Sequence, residues 1–190
     1  FEIEAVGGPT DNPPLAPDSY AERLGRAGAY VEGAVTQFLA WSASFARQPN
    51  HIGPLDPGLA SAAQGDPHTH YYGGYYRLAR GEALVIEFEP PPCEYWNLQL
   101  CNHWLESLDR PQHRASINHA NAAAGTNGSV QVIVADTEPS ASGRDHPANW
   151  LDTEGHDRGC MILRQVGTPN PCTPVCRVVR TQAIPGPPAP

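Results

Sequence analysis

The chain has 190 residues, enough for one domain with or without a packed appendage, and a chain of this length buries roughly 70% of its unfolded surface. Its 20 acidic and 12 basic residues leave a formal charge of −8, and every base is arginine because the sequence contains no lysine. That excludes a lysine Schiff base, a lysine general base and a phosphate-loop lysine, and the acidic balance with scattered arginines excludes nucleic acid and anionic membranes as partners.

Residues 1–17 are rich in proline and glycine and read as an extended lead-in. The chain begins at Phe1 with no initiator methionine and no signal-peptide pattern, the expectation for the C-terminal part of a longer or processed polypeptide, with the cytoplasm as the default compartment. An amphipathic helix is expected over 18–48. Ser19 and Glu22 have capping-box spacing, and Tyr20, Leu24, Val31, Val35, Phe38, Trp41 and Phe45 recur at helical intervals. Gly25, Gly28 and Gly33 each weaken that helix by about 1 kcal/mol relative to alanine. Phe38, Trp41 and Phe45 are read as core packing. Residues 49–67 carry four prolines and form a loop, with a short helical piece near 58–64.

After residue 68 the period changes from 3.6 to two. Strands are predicted over 71–80, 82–89, 95–104, 130–136, 160–166 and 175–180, with 115–119 a seventh candidate. No helical pattern separates them, so the expected class is mainly β: an antiparallel sandwich over 68–180 behind the long amphipathic helix. The tail 181–190 is proline-rich and extended. No apolar run reaches 18 residues, so no membrane span is expected. Cys172 and Cys176 have a spacing that allows pairing, while the five cysteines together read as reduced small hydrophobes.

Tyr75-Tyr76-Arg77-Leu78, Glu82 to Ile86, Tyr95 to Leu100, Ser116-Ile117-Asn118, Asn127 to Val130, and Asn149 to Thr153 with Gly155, His156 and Gly159 together resemble the family called domain of unknown function 1214. The resemblance covers about 68–180. It implies a jelly-roll-like β-sandwich, often following a second sandwich or a helical segment in a longer bacterial polypeptide, and it brings no reaction with it.

Three constellations can carry chemistry. The loop 149–159 packs Trp150, three carboxylates, His156 and Arg158 between glycines. Within it Asp152 can fix the tautomer of His156, leaving the other nitrogen as a general acid or base. Arg164 on the next strand offers a cation to an anionic substrate group, with Tyr72, Trp96 and Trp150 as further substrate contacts. The alternative is that Asp152 and Thr153 only close a turn. His68 and His70, alternate residues on an extended segment, are the alternative for a divalent metal; no cofactor is otherwise implied. The tyrosines 71, 72, 75 and 76 fall in pairs on opposite strand faces, so one pair can line a cavity while the other packs elsewhere. Serine elbows are missing, and neither Ser116 nor Ser129 nor the Cys101–His103 pair shows signs of an activated nucleophile. Two functions follow: an enzyme acting on a small organic molecule by histidine acid/base chemistry, or a non-catalytic ligand-binding or structural sandwich. The long apolar stripe and extended tails predict a homo-oligomer or a partner chain.

Overall fold

The computed structural model describes residues 6–8, 14–108, 112–139 and 149–184. Most of the expected lead-in and the tail residues 185–190 lie outside them. The chain divides into two compact units, Phe1–Gln37 and Phe38–Pro190.

The first unit holds the beginning of helix α1, which spans Pro17–Phe45. Its start differs from the capping-box expectation. Tyr20 already donates its amide to the Ala16 carbonyl at 2.9 Å, so Ser19 and Glu22 sit inside the first turns. Proline 17 explains the earlier start: it has no amide to leave unpaired, and its fixed φ is already helical. Asp18 then adds a carboxylate to the first turn, where the helix dipole favours it. The helix runs unbroken through all three glycines.

In the second unit, among the described residues, nine strands form two sheets. The five-stranded sheet orders β1 (His51–Pro54), β2 (Thr69–Arg77), β8 (Arg158–Val166), β4 (Tyr95–Cys101) and β5 (Ser116–Asn118). The four-stranded sheet orders β7 (Trp150–Asp152), β6 (Val130–Ala135), β3 (Glu82–Phe88) and β9 (Val175–Arg180). Every pairing is antiparallel except β6 with β7, which is parallel. The result is a mainly β, jelly-roll-like sandwich with a long helix before it. Strand alternation sets the core: Tyr72 and Tyr76, Leu84 and Ile86, Leu98 and Leu100, and Met161 and Leu163 all point between the sheets. Phe88 and Trp96 meet there edge to face, with ring centroids 5.0 Å apart. Gln165 is the buried polar exception, and its amide is satisfied by the Cys172 carbonyl (2.8 Å) and the Cys172 amide (2.9 Å).

Two elements differ from the sequence reading. Strand β1 lies in the stretch expected to be loop. Its entry is held by Asn50, at φ 61°, whose side chain bonds both the amide and the carbonyl of Arg77 at 2.8 and 3.0 Å. Four residues ending in proline carry no alternation signal, so β1 exists because β2 pairs with it. Strand β7 lies inside the candidate loop. The short helix α2 (Pro57–Ala62) is capped by Asp56, whose carboxylate accepts the amides of Gly58 and Leu59. All five cysteines are free thiols, Cys172 and Cys176 among them. Among the described residues no helix is long and apolar enough to cross a membrane.

Candidate functional site

The loop 149–159 is a structural clamp as well as a polar cluster. Asn149 is buried and donates to the carbonyls of Ala123 (2.7 Å) and Gln131 (2.9 Å), while accepting the Ala123 amide (2.8 Å). Trp150 donates its indole N–H to the Ala135 carbonyl at 3.1 Å. The Asp152 carboxylate accepts the Glu154 amide at 2.8 Å on one oxygen, and its other oxygen lies 2.7 Å from Nδ1 of His113. His156 closes the turn by donating its backbone amide to the Thr153 carbonyl at 3.0 Å. Glu154 and Gly155 take φ of 55° and 76°, the two positive central values of a type I′ turn, which here carries the chain from one sheet to the other. The exposed imidazole of His156 has no hydrogen-bond partner among the described residues. The carboxylate expected to orient His156 therefore holds His113, from a different loop.

The four expected substrate contacts fall on three different surfaces. Tyr72 and Trp96 point into the core between the sheets. Trp150 packs on Ala83, Ile133 and Ala135, on the outer face of the four-stranded sheet. Arg164 points from β8 to the outer face of the five-stranded sheet. There β2, β8 and β4 put Tyr71, Arg164 and Asn97 side by side in one row, with Gly73, Ile162 and Gln99 in the next and Tyr75, Cys160 and Cys101 in the third. Parity decides this, because a shift of one residue along a strand exchanges the two faces.

This outer face is the floor of a cavity of about 640 Å³. Phe38, Trp41 and Phe45 line one side, and Leu55 and Leu59 another. Gly73 allows that roof to come down. A Cβ there would stand 2.5 Å from two ring carbons of Phe45 and 2.7 Å from Leu55. Ser42, one turn before the end of α1, accepts a contact from the Cys160 thiol at 3.4 Å and ties the roof to the third row. The volume is in the range of small-molecule sites, and the walls are mostly apolar with a few polar groups, the usual composition of such sites.

The polar groups of the cavity are unfinished. Arg164 pairs with no carboxylate among the described residues; its guanidinium stands 6.0 Å from the centre of the Tyr71 ring. Among the described residues, neither Asp nor Glu lines the cavity. Asn97 and Trp41 both line it, and Oδ1 of the first and Nε1 of the second are buried without a hydrogen-bond partner among the described residues. Tyr76 Oη, Thr153 Oγ1 and Glu154 Oε1 are also buried and unpartnered, but none of those residues lines this cavity. Gln99, by contrast, is spent on the Leu100 and Ala115 carbonyls. Burial pushes the Cys101 thiol up to about 12, against the smaller opposing pull of Arg164, so the floor presents a neutral thiol and not a nucleophile. A neighbouring groove of about 950 Å³ lies across Tyr71, whose hydroxyl accepts the Asp66 amide at 3.1 Å. The carboxylates in that groove, Asp56 and Asp66, are engaged by local amides.

His68 and His70 are both exposed, and a ring nitrogen of His70 lies 2.9 Å from the Thr168 carbonyl. Among the described residues no three His, Cys, Asp or Glu side chains gather to hold a metal. His103 is exposed and its ring lies 4.7 Å from that of Trp104. The residues the sequence reading passed over as site candidates are Asn97 and Trp41, whereas Tyr71 belongs to the tyrosine set expected to line a cavity. One signal for Asn97 was available: in Trp96-Asn97-Leu98-Gln99-Leu100 the polar residues alternate strictly with apolar ones, marking a second, partly polar face. Trp41 gave none, because an unsatisfied indole is indistinguishable from a core indole in a helical stripe.

Comparison with known proteins adds the following. The family model described as protein of unknown function (DUF1214) matches residues 75–170, half of the chain. A crystal structure of an uncharacterised protein from Burkholderia cenocepacia aligns at TM-score 0.86 and 38% identity, covering 93% of this chain and 48% of that one. The present chain thus spans about half the length of that relative. A protein from Vibrio parahaemolyticus, at 16% identity and TM-score 0.48 over 64% of this chain and 34% of its own, is too distant to inform the site. Comparison with curated proteins finds no match.

Proposed function

This chain belongs to the DUF1214 family, and we propose that it binds a small organic anion in the cavity on the outer face of its five-stranded sheet. Arg164 is the fixed cation, and the aromatic and aliphatic walls take the apolar body of the ligand. One observation carries this reading: among the described residues, a guanidinium with no carboxylate partner stands in the floor of an apolar cavity with no acidic residue in its lining. A buried or half-buried arginine is ordinarily paired, and the planar fork of its donors matches a carboxylate. The test is a thermal-shift and calorimetric screen of aromatic and aliphatic carboxylates beside their neutral amides. Carboxylates are expected to raise the melting temperature and amides to leave it unchanged, and Arg164→Gln is expected to weaken carboxylate binding at least tenfold. Equal binding of acids and amides would contradict the reading.

A second reading, acid/base catalysis, has one observation in its favour. His113 Nδ1 and Asp152 form a 2.7 Å pair that fixes the orientation of the ring, the arrangement by which a carboxylate positions an imidazole for proton transfer. It predicts turnover of a bound acid that His113→Gln abolishes with melting unchanged.

A further inference from the structure

Resting on that anion site, we infer that the cavity selects hydroxy acids over both the corresponding deoxy acids and the corresponding amino acids. Three features converge on this class. First, Asn97 is the cross-strand neighbour of Arg164 in the β4–β8 pairing, so a group beside the anion meets it directly: such neighbours stand about 5 Å apart at Cβ. Its Oδ1 is buried and lacks a donor. A ligand without an O–H or N–H there leaves that acceptor desolvated and unpaired; a site built to bond a hydroxyl rejects the analogue lacking it for this reason.

Second, Trp41 lines the helical side of the same cavity, and its Nε1 is a buried donor also without a partner among the described residues. The ligand must therefore offer an acceptor as well as a donor. A hydroxyl does both, donating to Asn97 and accepting from Trp41, whereas an ammonium group has no lone pair to offer. Third, among the described residues no carboxylate lines the cavity, and Arg164 is already there. An α-ammonium would enter a site with a like charge and no carboxylate to offset it, a costly arrangement for a buried charge even where Asn97 accepts one of its hydrogens. Amino acids are thereby excluded by the lining and deoxy acids are disfavoured by the two orphaned atoms. The remaining walls, including Phe45, Leu55, Leu59 and Ile162, ask only for an apolar body.

Calorimetry on matched trios tests this with the intact chain. The probes are 3-phenylpropanoate, 3-phenyllactate and phenylalanine, with 4-methylpentanoate, 2-hydroxy-4-methylpentanoate and leucine as the aliphatic set. In at least one trio the hydroxy acid is expected to bind at least tenfold tighter than the deoxy acid, with the amino acid weakest. Asn97→Leu and Trp41→Phe are each expected to shrink the ratio of hydroxy to deoxy affinity toward one. Should hydroxy and deoxy acids bind equally while Arg164→Gln still weakens both, the selection is overturned and anion capture stands. Amino acids binding as tightly as hydroxy acids overturn it too. If no acid of either trio binds, the selection and the anion site fall together.

Discussion

The two sheets of this sandwich use their outer faces differently. On the four-stranded sheet, Ala83, Ile133 and Ala135 form a small apolar surface on which Trp150 lies, and the one polar atom of that indole is bonded to Ala135. Beside it, Asn149 is fully engaged. On the five-stranded sheet the corresponding surface carries Arg164, Asn97 and Gln99, and the aromatic cover from α1 stands over it with a cavity between. Small side chains and satisfied donors close one face; a glycine that admits Phe45, and donors and acceptors without partners, leave the other built for something else. Polar satisfaction, more than polarity, separates a structural face from a binding one.

The largest way to break this contrast is at the closed face. Asn149→Ala removes the partner of two carbonyls and an amide in a half-buried place, and at roughly 1 kcal/mol per group it is expected to cost about 3 kcal/mol. Urea denaturation measures it, and at this chain length the melting temperature falls by roughly 2–4 °C per kcal/mol. Ligand affinity of the folded fraction should be untouched, since Asn149 is remote from the cavity lining. A smaller effect is expected from Gly73→Ala, where the new methyl meets the Phe45 ring at 2.5 Å and forces the roof to shift, for about 1–3 kcal/mol. That variant should lose both stability and anion affinity; loss of stability alone would separate the roof from the site.

The smallest effect is one of pH. Burial pushes Cys101 from an ordinary value of 9.0 up to about 12, and Cys176 up to about 11. In the unfolded chain these thiols ionise near 9, while in the folded chain they stay protonated well above it. Their contribution is therefore fully present below pH 9 and is lost as pH rises from 9 toward 12. Denaturation midpoints at pH 8 and 10.5 check the fall, which Cys101→Ala should reduce. The same burial predicts that iodoacetamide at pH 8 labels Cys101 and Cys160 only after unfolding.

Period-two alternation was strong enough to place seven of the strands and the sandwich class, because a face buried between sheets must be apolar at every second position. The helix was equally legible from its stripe, although its first turn was set by Pro17 and not by the Ser19 spacing. What alternation does not encode is which strands pair. Arg164, Tyr72, Trp96 and Trp150 look like equals along the chain, and only the sheet and the strand face each occupies, β8, β2 and β4 in one sheet and β7 in the other, send them to three surfaces. The same limit applies to Asp152, whose nearest histidine in sequence is His156 but whose partner across space is His113. Strands β1 and β7 are too short to carry a pattern and exist through their neighbours. Of the proposed site, Arg164 is a candidate the sequence already offered; Asn97 and Trp41 enter it for what they lack, and a missing partner cannot be read from a string of residues.

The most direct test of the account is the indole region of a proton–nitrogen correlation spectrum during titration with 3-phenyllactate or 2-hydroxy-4-methylpentanoate. The chain has four tryptophans: Trp41 in the cavity wall, Trp96 in the core, Trp104 exposed and Trp150 on the opposite sheet. The account predicts a saturable shift of the Trp41 indole signal, absent in Arg164→Gln, with the other three unmoved. A Trp41 signal that stays in place while the ligand saturates, or a shift of Trp150 in its stead, would contradict it.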